Sequence, residues 1–242
     1  TGGGFKKFCN GETDISDASR PIKDSEKAEC EKKGVAYVEL QVAIDGLSLV
    51  VNTQNTWADC LTTAELRKIW DKGSTANNWK DVRAGFPDVA MKLFGPGTDS
   101  GTFDYFTEAI NGKEKQSRPD YTASEDDNVL VQGVSGTRGA LGYFGFAYYV
   151  ENKDKLKVLK VDGGKGCVEP TDRTVTDGTY RPLSRPIFIY PRVDALKRPE
   201  VYEFVKWYLG AESRPLITSV GYIPAPAGVY ADGIGKVETA RK

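Results

Sequence analysis

The 242-residue chain has no histidine, one methionine and only four cysteines. Without an imidazole there is no Ser-His-Asp or Cys-His nucleophile system, and no His-ligated zinc or haem. The cysteines, Cys9, Cys30, Cys60 and Cys167, form no C-x-x-C pair, which excludes a zinc knuckle and a thioredoxin-like redox site. Charge of one sign is also lacking: 33 basic against 34 acidic residues leave a net charge of -1. Bulk phosphate neutralisation, and with it nucleic-acid binding, is therefore not expected. No apolar run approaches the roughly 20 residues of a membrane-spanning helix, and there are no internal repeats. The opening Thr1-Gly2-Gly3-Gly4 has neither a basic n-region nor an apolar h-region, so no address signal is read there. Little of the usual catalytic equipment is left, and no cofactor or metal site is expected.

What is present reads as an α/β protein. Phe5-Lys6-Lys7-Phe8 starts a short amphipathic helix after the triple glycine. Thr62-Thr63-Ala64-Glu65 is a capping-box start, with Leu66, Ile69 and Trp70 on one face. Phe103, Phe106, Ala109 and Ile110 follow Thr102 at helical spacing. Pro199 stands at a first helical position before a stripe of Val201, Phe204, Val205, Tyr208 and Leu209 that Gly210 closes. Between them lie strand signals: residues 35–51 as two runs interrupted at Asp45-Gly46, then 89–94, 140–149, 156–161 and 186–190. This alternation predicts a mainly parallel sheet. The stretch 231–242 reads as a polar tail.

Two segments share one physical design. Thr1-Gly2-Gly3-Gly4-Phe5 and Ser100-Gly101-Thr102-Phe103 each place hydroxyls and glycine at the start of a helix. A helix start carries unpaired N–H groups and a partial positive charge, so it attracts anions. Glycine admits the ligand to the backbone, and Ser or Thr hydroxyls add donors. Taken singly, Ser100 and Thr102 read equally well as ordinary N-caps. Gly163-Gly164-Lys165-Gly166 lacks P-loop spacing, and Gly95-Pro96-Gly97 lacks the dinucleotide spacing. A third segment, Asp14 to Ile22, reads as a short strand entering a polar turn. Ser19 supplies a hydroxyl there and Arg20 a fork donor, unless Asp17 and Arg20 simply pair at i,i+3.

The ordered series T-G-G-G-F-K-K-F, T-D-I-S-D-A-S-R-P-I, D-G-L-S-L-V-V-N and G-P-G-T-D-S-G-T-F-D-Y-F, followed by G-A-L-G-Y and V-G-Y-I-P, resembles the periplasmic phosphate-binding proteins of ABC transporters, the PstS family, in its cyanobacterial-type branch. The resemblance implies a type II periplasmic-binding-protein fold, two α/β lobes joined by crossover strands near 41–52 and 185–192. Lobe one would comprise 1–48 and 187–242, and lobe two 49–186. It implies a monomeric, exported, non-enzymatic carrier that traps inorganic phosphate between the lobes and delivers it to permease subunits. By motif position, Thr1, Ser19 and Arg20 would contribute from lobe one, and Ser100, Gly101 and Thr102 from lobe two. Four cysteines allow three pairings or none. The lobe division places Cys9 and Cys30 in one lobe, so Cys9–Cys30 and Cys60–Cys167 are the expected disulfides.

Three departures from the family pattern stand out. The usual opening strand, G-x-x-T-F/Y-P loop and helix do not precede Thr1, nor does the polar stretch at the other end supply them. Pro96 stands where better-known members carry an Arg shortly before S-G-T, so Arg20, or alternatively Arg138, would supply the compensating charge. Ser19 stands where those members place an Asp that accepts the phosphate proton, leaving Asp17 and Asp99 as candidates. Other readings are a binding protein for sulfate, molybdate or arsenate, a phosphoryl-transfer enzyme with Asp14, Asp17 or Asp99 as nucleophile, and an adhesion protein. The run Glu125-Asp126-Asp127 reads as a solvated turn.

Overall fold

A computed structural model describes all 242 residues. The strands are β1 (Ile15–Ala18), β2 (Leu40–Asn52), β3 (Cys60–Thr62), β4 (Lys92–Gly95), β5 (Thr122–Ala123), β6 (Ala140–Gly145), β7 (Leu156–Val158), β8 (Lys160–Asp162), β9 (Cys167–Val168), β10 (Ser184–Pro191) and β11 (Ile223–Pro224). The helices are α1 (Gly2–Cys9), α2 (Asp24–Lys32), α3 (Thr63–Trp70), α4 (Trp79–Val82), α5 (Gly101–Phe106), α6 (Asp127–Gly136), α7 (Phe146–Glu151), α8 (Asp172–Thr176), α9 (Pro199–Leu209), α10 (Arg214–Ser219) and α11 (Ala227–Arg241). None is long and apolar enough to cross a membrane. The chain forms two compact units, Thr1–Asp45 with Arg185–Lys242, and Gly46–Ser184.

In the first unit β10 lies between β1 and β2, with β11 on the other edge of β2. The period-two alternation of β10 builds both of its cores. Ile189 joins Leu40, Val42, Val205, Leu209 and Val237 on the α9/α11 side. Phe188 and Tyr190 join Phe5, Phe8 and Ile22 on the α1/α2 side. Burying Phe5 and Phe8 contributes roughly 2–3 kcal/mol each and anchors α1, while the Cys9–Cys30 disulfide ties it to α2.

In the second unit the later half of β2 pairs antiparallel with β6 and β7, and β4 runs parallel to both β6 and β5. A smaller sheet, β3-β8-β9, carries the Cys60–Cys167 disulfide. Trp70, Phe106 and Tyr143 form the aromatic centre of the second unit, with Trp70 edge-on to both rings and Phe106 stacked on Tyr143.

Several sequence expectations need correction. The sheet is mixed, because β2 pairs antiparallel with β6, β7 and β11. Asp45-Gly46 does not break β2, which runs uninterrupted. The Asp45 carboxylate is buried but accepts from Arg185 at 3.1 and 3.2 Å, so no turn is needed to solvate it. Gly46 serves close packing instead: a Cβ there would stand 2.7 Å from Val175. The apolar run at 140–149 divides into β6 and α7, since Gly145 caps a helix whose Tyr148 and Val150 face solvent. Residues 156–161 split between β7 and β8, which join different sheets. Of the 89–94 signal only residues 92–94 pair as a strand, which ends at Gly95. The supposed polar tail is α11, whose Tyr230 and Val237 are buried and whose Tyr230 hydroxyl donates to the Val42 carbonyl at 2.5 Å. Phe204 lies off the buried stripe of α9, 48% exposed.

Candidate functional site

The first unit assembles one donor group from two chain segments. Thr1 precedes α1 but does not cap it through its side chain. Instead its hydroxyl shares a 2.8 Å hydrogen bond with the Ser19 hydroxyl and accepts from the Ser19 N–H at 3.2 Å. The first-turn amides of Gly2, Gly3 and Gly4 have no intrahelical acceptors. Ser16 reaches this turn from beneath, its buried hydroxyl 3.2 Å from where a Gly4 Cβ would stand.

Arg20 lies beside the same turn. Its Nη2 is 3.8 Å from the position a Gly2 Cβ would take, and the guanidinium sits 5.8 Å from the Phe5 ring centroid. It pairs with Glu26, where the alternative reading pairs it with Asp17: Nη1 and Nη2 donate to the two carboxylate oxygens at 2.8 and 2.9 Å. Those bonds hold the Glu26 carboxyl below the usual carboxylate range, assisted by the Lys23 N–H at 2.8 Å. Asp17 has a carboxyl raised by desolvation.

The second unit builds its donor group within one loop. Ser100 caps α5, accepting from the Thr102 N–H at 3.2 Å. Nothing crowds Gly101, where even a Cβ would meet no atom within 4 Å, so the backbone at this turn is open to approach. The preceding loop is latched from residues 121–125. The Ser124 N–H donates to the Gly95 carbonyl at 3.1 Å, and the Tyr121 hydroxyl donates to the Pro96 carbonyl at 2.9 Å. Tyr121 packs edge-on to Trp70 and stacks with Phe103, and burial pushes its hydroxyl up to about 12. Gly95 is required here, because a Cβ would meet the Tyr143 ring at 2.9 Å. Below the turn, the helix predicted as continuous becomes a π-helical turn at Thr107–Asn111.

Thus Thr1, Ser19 and Arg20 come together in the first unit, and Ser100, Gly101 and Thr102 in the second. Of the other candidates, Asp99 borders the Ser100 turn, whereas Asp14 and Arg138 are engaged elsewhere. Asp99 is exposed, Asp14 pairs with Arg198 and lies 3.8 Å from Arg192, and Arg138 sits over the Trp57 ring at 5.8 Å. The run 125–127 is not fully solvated: burial, reinforced by Asp126 and Glu125, raises the Asp127 carboxyl to about 6. Glu26 and Tyr121 did not emerge from the sequence. The Lys23-x-x-Glu26 spacing was the available signal for Glu26, and it is faint because Lys is not a capping residue.

A family model described as a PBP superfamily domain matches residues 1–212. The chain is 52% identical over 233 residues to Protein SphX of Synechococcus elongatus, covering 95% of this chain and 68% of that protein. It is 42% identical to the phosphate-binding protein PstS of Staphylococcus haemolyticus, covering 96% and 72% respectively. The crystal structure of a possible phosphate binding protein from Planctomyces limnophilus superimposes with a TM-score of 0.97 at 55% identity, over 100% of this chain and 86% of that one. Two α/β units joined through β2 and β10 are the type II fold of periplasmic binding proteins. Within that superfamily the chain belongs to the PstS/SphX family of phosphate-binding proteins.

Proposed function

We propose that this protein is an extracytoplasmic solute-binding protein that captures inorganic phosphate and delivers it, as a monomer, to the permease of an ABC transporter. The observation that carries the reading is the Thr1–Ser19 hydroxyl pair at the glycine-rich start of α1, matched in the second lobe by the open Ser100–Gly101–Thr102 turn. In this reading the donors of these turns serve phosphate. Backbone N–H groups and hydroxyls replace its water shell, and Arg20 adds one charge-assisted donor. Because the donors are dipoles fixed by packing, recognition needs no large positive field and is compatible with a net charge of -1.

In this reading the protein holds the anion and releases it unchanged, in keeping with its membership of a family of phosphate-binding proteins. Selection of phosphate over sulfate needs an acceptor for the proton that sulfate lacks; Asp17, two residues before Ser19, and Asp99, beside Ser100, are the carboxylates for that role. Two disulfides fit an oxidising compartment outside the cytoplasm. Calorimetric titration tests the reading. Phosphate should bind at one site with micromolar or tighter affinity, sulfate should give no saturable heat, and a generic phosphate ester should release nothing. Equal binding of sulfate, or ester turnover, would overturn it.

A further inference from the structure

Arg20 is held by a carboxylate that is itself fixed from a second direction. Glu26 Oε2 accepts both Arg20 Nη1 and the Lys23 N–H at 2.8 Å, while Oε1 accepts Arg20 Nη2 at 2.9 Å. The Lys23 bond is one half of a capping box and locks the Glu26 rotamer to the first turn of α2. A guanidinium gripped at two nitrogens by a carboxylate loses its freedom to rotate about its long stem. The remaining constraints close the arrangement. Nη1 also donates to the Pro21 carbonyl at 3.1 Å, and the Phe5 ring lies below the guanidinium. Helix α2 is bound to α1 through Cys9–Cys30, so the helix that bears Glu26 is covalently linked to the helix that presents Gly2 to Gly4.

We infer that Glu26 is a positioning residue for anion capture: it touches no ligand, but aims Arg20 at the Thr1–Gly2 turn and offsets its charge. The inference rests on the phosphate-binding reading and on Arg20 acting within it. It separates Glu26 from an ordinary N-terminal helix residue, whose loss would lower stability and leave affinity alone.

The test is a double-mutant cycle of Arg20→Ala and Glu26→Ala, with phosphate affinity from calorimetry and Tm read on the same samples. Arg20→Ala should weaken binding by one to two orders of magnitude, and Glu26→Ala by about tenfold. In the Arg20→Ala background, Glu26→Ala should cost almost nothing further in affinity while still lowering Tm. Glu26→Gln, which keeps an oxygen acceptor for the Lys23 N–H, should recover Tm more fully than affinity. If Glu26→Ala lowers Tm with unchanged affinity, or acts equally in both backgrounds, the positioning role is overturned. An inert Arg20→Ala on a wild type that binds phosphate removes the role while leaving the function intact. A wild type that ignores phosphate overturns both.

Discussion

The two lobes build the same kind of donor turn by opposite means. In lobe one the turn is composite: Thr1 and Ser19 meet across 18 residues of chain, Arg20 is aimed by Glu26, and Cys9–Cys30 closes the group. In lobe two, Ser100, Gly101 and Thr102 are contiguous, self-capped, and supported on an aromatic floor through the Tyr121 hydroxyl. A composite turn depends on everything that brings its pieces together. A contiguous turn depends mainly on what lies beneath it, so distant constraints should matter to stability without reaching the ligand.

The disulfides offer the largest test of that difference. A closed loop of about 100 residues is worth about 4.7 kcal/mol in the chain-entropy model, and one of about 15 residues about 3 kcal/mol. Cys60 and Cys167 are 107 residues apart, Cys9 and Cys30 only 21. Replacing Cys60 and Cys167 by Ser should therefore cause the larger fall in Tm, yet leave phosphate affinity of the folded fraction unchanged. Replacing Cys9 and Cys30 should cost less stability and weaken phosphate binding, because α1 and α2 carry the composite turn. Melting curves paired with calorimetry decide it; an inverted pattern of affinities would break the comparison.

A smaller effect is expected from Tyr121→Phe. It removes the hydrogen bond to the Pro96 carbonyl and keeps the ring contacts with Trp70 and Phe103. A bond of about 1 kcal/mol predicts phosphate binding weakened about fivefold if the latch sets the Ser100 turn, measured by the same titration. Unchanged affinity would mean that the backbone pairing of β4 with β5 suffices.

The smallest effect is a pH dependence near the same loop. The Asp127 carboxyl rises from 3.8 to about 6, chiefly through burial, with Asp126 and Glu125 adding repulsion. Ionising it in the folded state therefore costs stability. The penalty is absent below about pH 4, grows as pH rises, and is complete above about pH 6. Asp127→Asn should raise Tm by a few degrees at pH 7.5 and by progressively less towards pH 4. A stabilisation that does not vary with pH would place its origin elsewhere.

Features encoded locally were legible in the sequence. The Thr62–Glu65 capping box forms, with the Glu65 N–H donating to the Thr62 hydroxyl at 3.1 Å, and Pro199 stands at the start of α9. The Ser100–Gly101–Thr102 turn was visible for the same reason, as was the Thr1–Gly4 half of the composite turn, each being written in consecutive residues. Features decided by remote partners were not. Asp45-Gly46 carries a turn signal, which Arg185 overrides from 140 residues away. Residues 231–242 look polar in isolation, and only β2 and α9 reveal that Gly233 and Val237 face a core. Glu26 belongs to this class as well. Only the faint Lys23-x-x-Glu26 spacing marks it, because its role comes from where α2 sits against Arg20.

Whether the Thr1 and Ser100 turns supply the phosphate donors, as proposed, is tested most directly by amide resonances in a ¹⁵N-labelled sample titrated with inorganic phosphate. The amides of Gly2, Gly3, Gly101 and Thr102 should all shift and reach saturation together at one equivalent. If either turn stays unmoved while the other saturates, or the two saturate at different phosphate concentrations, the claim is contradicted.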